Sequence, residues 1–186
     1  MSKINDSMPK NGHSTTKQLV FCAISIALAF VTSYIKFAKL PFGGSITLFS
    51  MFFICFTGYL YGPKAGIFTG LAYGILQFLQ EPYFYSVGQF LLDYPLAFAC
   101  LGMSGFLRAQ KLGLQKGILL GIFGRYLCHV LSGYIFFGMY APEGMNPLVY
   151  TLGYNLTYIL PELVATLLVV SIPSVKSALN QVQRMA

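Results

Sequence analysis

Three polar residues interrupt long apolar runs: Asp93 in FLLDYPLAFACLGMSGFL, His129 in RYLCHVLSGYIFF and Asn155 in VYTLGYNLTYILPE. A carboxylate in hydrocarbon is costly, so an acidic group at membrane depth marks a functional site by default. One carboxylate, one imidazole, one amide and several aromatic rings suit a flat, positively charged heteroaromatic molecule. The carboxylate accepts from ring N–H or amino groups, and a desolvated cation gains up to ~2 kcal/mol over an aromatic face. Phosphate has no evident handle, because no arginine cluster accompanies these residues. The Asp93–His129 combination also fits general acid–base work. No nucleophile stands beside it, however, since Cys128 points about 100° away from His129 on a helix, and the chain is expected not to be an enzyme.

The elements that must position these residues are apolar helices. The chain has 186 residues, 56% hydrophobic and 9% charged, against about 25% charged in soluble domains. This predicts an all-α integral membrane protein with a polar tail over residues 1–17 and one domain over 18–186. No hydrophilic stretch is long enough for a nucleotide-binding domain, and no glycine-rich phosphate loop with a lysine follows a strand pattern. The net charge of +7 reads as topology rather than nucleic-acid binding. Cys22, Cys55, Cys100 and Cys128 fall in four separate runs without a C-x-x-C pair, so neither a metal site nor a disulfide framework is expected.

About 20 apolar residues cross a bilayer, which predicts six transmembrane helices over roughly 18–37, 45–61, 65–80, 86–107, 117–138 and 148–173. Tyr61-Gly62-Pro63-Lys64 reads as a tight turn. Gly66, Gly70 and Gly74 form a small-residue stripe for close helix packing. LPFGGSITL (residues 40–48) is a bent outer connector or a lid, with Phe42 as its contact residue. Placing both termini in the cytoplasm puts Lys3, Lys10, Lys17, Lys64, Arg108, Lys111, Lys116, Lys176 and Arg184 inside, and leaves Lys36 and Lys39 outside, as the positive-inside rule requires.

At 1.5 Å per residue, Asp93 and Asn155 lie roughly 10 Å below the outer surface and His129 roughly 12 Å, so the three share a level. Arg125 and Glu162 share a deeper one and are expected to pair, holding the fifth and sixth spans together. Arg125, His129, Gly133 and Phe137 form one ridge on the fifth helix. On it Gly133 leaves room above the imidazole and Phe137 offers a ring at the mouth. Gln89, Asp93 and Ala97 form a similar ridge on the fourth.

LLDYPLAFACLGMSGF, the GGSITL loop and RYLCHVLSGYIFFGMYAPEGMNPLVYTLGYNLTYILPE closely resemble the thiamine-specific substrate-binding subunits (S-components) of energy-coupling factor (ECF) transporters, over most of the chain from about residue 40. The resemblance implies a six-helix S-component-like bundle in the plasma membrane with a thiamine pocket near the outer surface and no cofactor. It also implies a complex with a transmembrane coupling protein and two cytoplasmic ATPases. By motif position it assigns the substrate carboxylate to Asp93, its neighbouring aromatic to Tyr94, the histidine to His129 and the close-approach glycine to Gly133. The pocket tyrosine and asparagine fall on Tyr150 and Asn155, an outer-loop tyrosine on Tyr83, and Ala23 and Ala27 on the coupling-protein docking face. The chain departs from the family in having no tryptophan, so Phe137 stands at one position where the family stacks its ligand and Phe42 near the other. Two other readings stay open: a stand-alone proton-coupled thiamine carrier, and an S-component for a precursor such as a hydroxymethylpyrimidine.

Overall fold

Helix boundaries follow the proline and glycine punctuation of the chain. The computed structural model describes residues 15–186, with the side chains of Thr15 and Phe42 outside that description. Lys3 and Lys10 therefore lie outside the described residues. Helix α1 covers Thr15–Ser33, α2 Ser50–Tyr61 and α3 Pro63–Gln80. Helix α4 runs over Val87–Leu107, α5 over Gly113–Phe137, α6 over Pro147–Ser171 and α7 over Pro173–Met185. Between α2 and α3, Gly62 takes φ 91°, a conformation that only glycine adopts freely. Pro63 then opens α3 at a position where no intrahelical N–H is needed.

Four of these helices, α1, α4, α5 and α6, are long and apolar enough to cross a membrane. Helix α2 has 12 residues, about 18 Å at the helical rise, short of the ~30 Å core. Helix α3 reaches 18 residues, but its glycines, Thr69, Gln77 and Gln80 hold its apolarity down. Both pack one face on the bundle: Met51, Ile54 and Cys55 of α2 and Tyr73 of α3 are fully buried, whereas Phe68, Ile75 and Leu79 of α3 face outward. The expected stripe on α3 is a packing surface. A Cβ at Gly66 would lie 2.6 Å from Gly58 Cα, and one at Gly70 2.2 Å from the Phe98 carbonyl.

The structure revises the first two expected spans. Helix α1 stops at Ser33, and residues 34–49 fold back as an antiparallel hairpin, β1 (Lys36–Lys39) with β2 (Ser45–Thr47), pairing Lys36 with Thr47 and Lys39 with Ser45. Pro41 and the positive φ of Gly43 turn the chain where a helix would otherwise continue. The last expected span is matched by α6, and a further helix follows it. Ile172, extended before Pro173, ends α6, as the residue before a proline is steered away from helical angles. Helix α7 then lays Leu179 and Val182 on the core and leaves Lys176 and Arg184 exposed.

Helix α4 is irregular where the sequence places its acid. Leu92–Leu96 widens into a π turn around Pro95, which has no N–H to give the ladder. Such bulges inside α-helices recur at functional sites. Helix α3 packs on this turn: a Cβ at Gly74 would meet the Tyr94 carbonyl at 2.6 Å.

Candidate functional site

A cavity of about 400 Å³ opens at the hairpin end of the bundle. Its walls come from α4, α5, α6 and the hairpin, and its lining includes Asp93, Tyr94, His129, Gly133, Phe137, Tyr150, Asn155 and Tyr83. All eight residues singled out from the sequence are therefore brought to one hollow.

The polar groups at its floor form a chain. Gln89 Nε2 donates to Asp93 Oδ2 at 2.8 Å, and His129 Nδ1 lies 3.1 Å from Asp93 Oδ1. On the other side of the ring, Arg125 Nε donates to His129 Nε2 at 3.1 Å. A guanidinium can only donate, so Nε2 is an acceptor and the ring proton resides on Nδ1, directed at Asp93. The guanidinium also stacks on Phe98, 4.3 Å from the ring centroid. Gln89 is itself fixed, because its Oε1 accepts from Tyr85 N at 3.0 Å and its own N–H bonds the Ser86 hydroxyl that caps α4. Among the described residues no Lys or Arg side chain bonds Asp93 directly. The imidazole stands between its carboxylate and the guanidinium.

The expected Arg125–Glu162 ion pair is not formed among the described residues. Glu162 is turned toward the base of the hairpin, where it accepts from Thr47 N at 3.1 Å, Thr47 Oγ1 at 2.8 Å, Ser50 Oγ at 3.4 Å and Met51 N at 3.3 Å. Four donors satisfy a buried carboxylate without a direct cation, which leaves Arg125 for the imidazole. Coincident depth had suggested the pair, but depth does not say on which side of each helix the two residues project.

Gly133 lines the cavity together with His129 and also has a packing job. A Cβ there would meet Thr151 Cγ2 at 2.4 Å, so the missing side chain lets α5 and α6 touch. Asn155 joins the same two helices. Its Nδ2 donates to the Thr151 carbonyl at 2.9 Å and to the His129 carbonyl at 3.4 Å, and its Oδ1 accepts from Tyr158 Oη at 2.6 Å. Tyr94 ties the entrance segment together: its hydroxyl donates to the Glu81 carbonyl at 3.0 Å and accepts from Tyr83 N at 3.1 Å.

Aromatic rings complete the walls. Phe137 sits 5.7 Å from Tyr83 and 6.0 Å from Tyr85, centroid to centroid. On α6, Tyr150, Tyr154 and Tyr158 form a ladder with spacings of 6.2 and 5.9 Å, and Tyr158 lies edge-on to His129 at 6.2 Å. Tyr154 and Tyr158 were not anticipated, although their spacing of four from Tyr150 puts all three on one helical face. Tyr154 also fastens the hairpin, accepting from Gly44 N at 3.2 Å and donating to the Pro41 carbonyl. At the rim Glu81 bridges two lysines, with Lys36 Nζ at 2.5 Å and Lys39 Nζ at 3.2 Å. The Lys36 hydrogen bond, and then that of Lys39, hold the Glu81 carboxyl below its usual range against a partial desolvation.

Comparison with known proteins places this arrangement. Residues 19–181 match the family described as "Thiamine transporter protein (Thia_YuaJ)". The thiamine transporter ThiT of Bacillus subtilis is 34% identical over 168 residues, covering 79% of this chain and 84% of that protein. ThiT of Lacticaseibacillus paracasei is 37% identical over 97 residues, 45% and 48% of the two chains. The solved structure of ThiT from Listeria monocytogenes superposes with a TM-score of 0.73 at 25% identity, over 86% of this chain and 94% of that one. The S component of a bacterial ECF transporter shares the fold, with a TM-score of 0.55 at 21% identity over 82% and 92%. The chain belongs to the thiamine transporter protein family, a family of transporters rather than enzymes.

Proposed function

We propose that this protein captures thiamine at the outer face of the plasma membrane and takes part in its uptake as the substrate-binding subunit of an ECF-type transporter. The observation that carries the reading is Asp93, a carboxylate in an aromatic-walled cavity that, among the described residues, is hydrogen-bonded only to an amide and to an imidazole proton. Thiamine joins an aminopyrimidine to a thiazolium cation, so it supplies both N–H donors for a carboxylate and a positive charge for aromatic faces. Asp93, His129 and Tyr94 then form the floor of the binding site. Tyr83, Phe137 and Tyr150 form its upper wall, and Gly133 and Asn155 hold α5 and α6 at the right separation.

All six helices α1 to α6 are embedded, with α2 and α3 as the shorter members. The mouth faces outward and both termini face the cytoplasm. The charge distribution supports this orientation. Lys64, Arg108, Lys111, Lys116 and Lys176 gather at the end opposite the mouth, whereas Lys36 and Lys39 at the mouth share Glu81. Ala23 and Ala27 lie on an exposed face of α1, a narrow surface suited to close approach by a helix of the coupling protein. Two partner ATPases would supply the energy of release.

The test is calorimetric titration of the purified chain with thiamine, its phosphates and the isolated hydroxymethylpyrimidine. Tightest binding of thiamine is expected, and failure to bind thiamine would refute the reading. Uptake into liposomes by the chain alone, driven by a pH gradient, would replace the ECF complex with a proton-coupled carrier.

A further inference from the structure

Cys100 on α4 and Cys128 on α5 bring their sulfurs to 3.8 Å, 28 residues apart in sequence. Both are free thiols, neither exposed nor fully buried. The contact is built into the helix crossing, since Gly124, one turn before Cys128, leaves the space that Cys100 fills. A Cβ at Gly124 would stand 2.9 Å from Cys100 Cβ and 3.4 Å from its sulfur. Neither Cys22 nor the fully buried Cys55 touches another sulfur among the described residues.

We propose that Cys100 and Cys128 are a convertible dithiol, a modification site at which hydrogen peroxide forms an intrachain disulfide joining the helix of Asp93 to the helix of His129. One sulfur attacks a peroxide oxygen, the O–O bond breaks, and water leaves with that thiol's proton, giving a sulfenic acid. The second sulfur then attacks the first and displaces its hydroxyl, which leaves as a second water with the second thiol's proton. The two thiols lose two electrons and the peroxide gains them. The sulfurs must close from 3.8 Å to about 2.05 Å, a movement within the reach of χ1 rotation where Gly124 offers no side chain. The bond would join α4 and α5 one residue from His129 in sequence, at sulfurs that do not line the cavity.

The test is peptide mapping by mass spectrometry of the purified full chain in detergent, after peroxide and alkylation of the remaining thiols, without reduction. A Cys100–Cys128 linked peptide that a phosphine reductant releases is expected, with Cys22 and Cys55 alkylated. The link should be absent in C100S and retained in the C22S/C55S double variant, which keeps the pair and serves if C100S does not fold. Oxidation should also raise the thermal unfolding midpoint of the parent and of C22S/C55S, because the cross-link constrains the unfolded chain. Recovery of both alkylated thiols, oxidation of either sulfur to an acid without a link, or a link between two chains would overturn the proposal.

Discussion

His129 Nδ1 stands 3.1 Å from Asp93 Oδ1 while the opposite ring nitrogen accepts from Arg125. The imidazole is thereby held in one tautomer and acts as a neutral spacer. It presents a proton to the carboxylate and keeps the guanidinium one ring away, so the negative charge stays available to the cavity.

Replacing Asp93 by Asn keeps the shape and removes the charge. Losing one partner of a desolvated charged contact costs about 2 kcal/mol or more, which predicts at least ~30-fold weaker thiamine binding. Calorimetry measures the affinity and circular dichroism checks that the helices remain. An unchanged affinity would remove Asp93 from the site.

Gly133→Ala drives a methyl into Thr151 Cγ2, which would lie 2.4 Å away. Overpacking of this kind costs ~1–3 kcal/mol, so a lower unfolding midpoint is expected in detergent. Adding Thr151→Ser removes that methyl group and retains the hydroxyl bonded to the Pro147 carbonyl. The double variant should recover most of the loss. If the two effects simply add, the α5–α6 contact is not the reason for the glycine.

Glu162→Ala leaves the donors of Thr47, Ser50 and Met51 without their shared acceptor. Unsatisfied buried donors cost ~1–3 kcal/mol each before relaxation, and the base of the hairpin should loosen. Hydrogen exchange at residues 45–51 is expected to rise well above that of α4. Protection equal to the parent would show that the carboxylate does not hold the hairpin.

The Glu81 bridge carries a pH signature. Its carboxyl is held below the ordinary value of 4.5 by Lys36 and Lys39. For a lowered native value the stabilisation is fully present above the unfolded value and disappears as pH falls through the native one. Exchange protection of residues 36–39 should therefore stay flat from pH 7 to near 5 and fall only below about 4.5. Glu81→Gln should expose the segment already at pH 7. A parent that loses protection near pH 6 would refute this assignment.

What could be read from the chain itself was the chemistry that stands out against oil. Asp93 and His129 were visible because ionisable groups in apolar runs are expensive, and helical rise alone set them at one depth. The Gly66–Gly70–Gly74 stripe and the Gly62-Pro63 turn were local patterns with local causes. Glu162 was misassigned because its partners lie at Thr47 and Met51, more than 100 residues away in sequence, where no periodicity reports a contact. Tyr154 and Tyr158 went unnoticed in a chain rich in aromatic residues, although the ladder spacing was present. The bend at residues 40–48 was legible from its proline and glycines, but the strand pairing was not, because Lys36–Lys39 and Ser45–Thr47 are strands of four and three residues, too short for an alternating pattern to report.

The Tyr94 phenol rides on the widened turn at Pro95 and also clasps the backbone on both sides of Pro82. Doorway and basement are thus rigged to the same lever. Rewinding that turn into a regular α-helix would swing the segment beyond it by one residue's arc, about 100°, and haul on the rim at the same stroke. Any shift of the turn that carries Asp93 and Tyr94 would therefore pull directly on the backbone at Glu81 and Tyr83, with no relay of intermediate side chains.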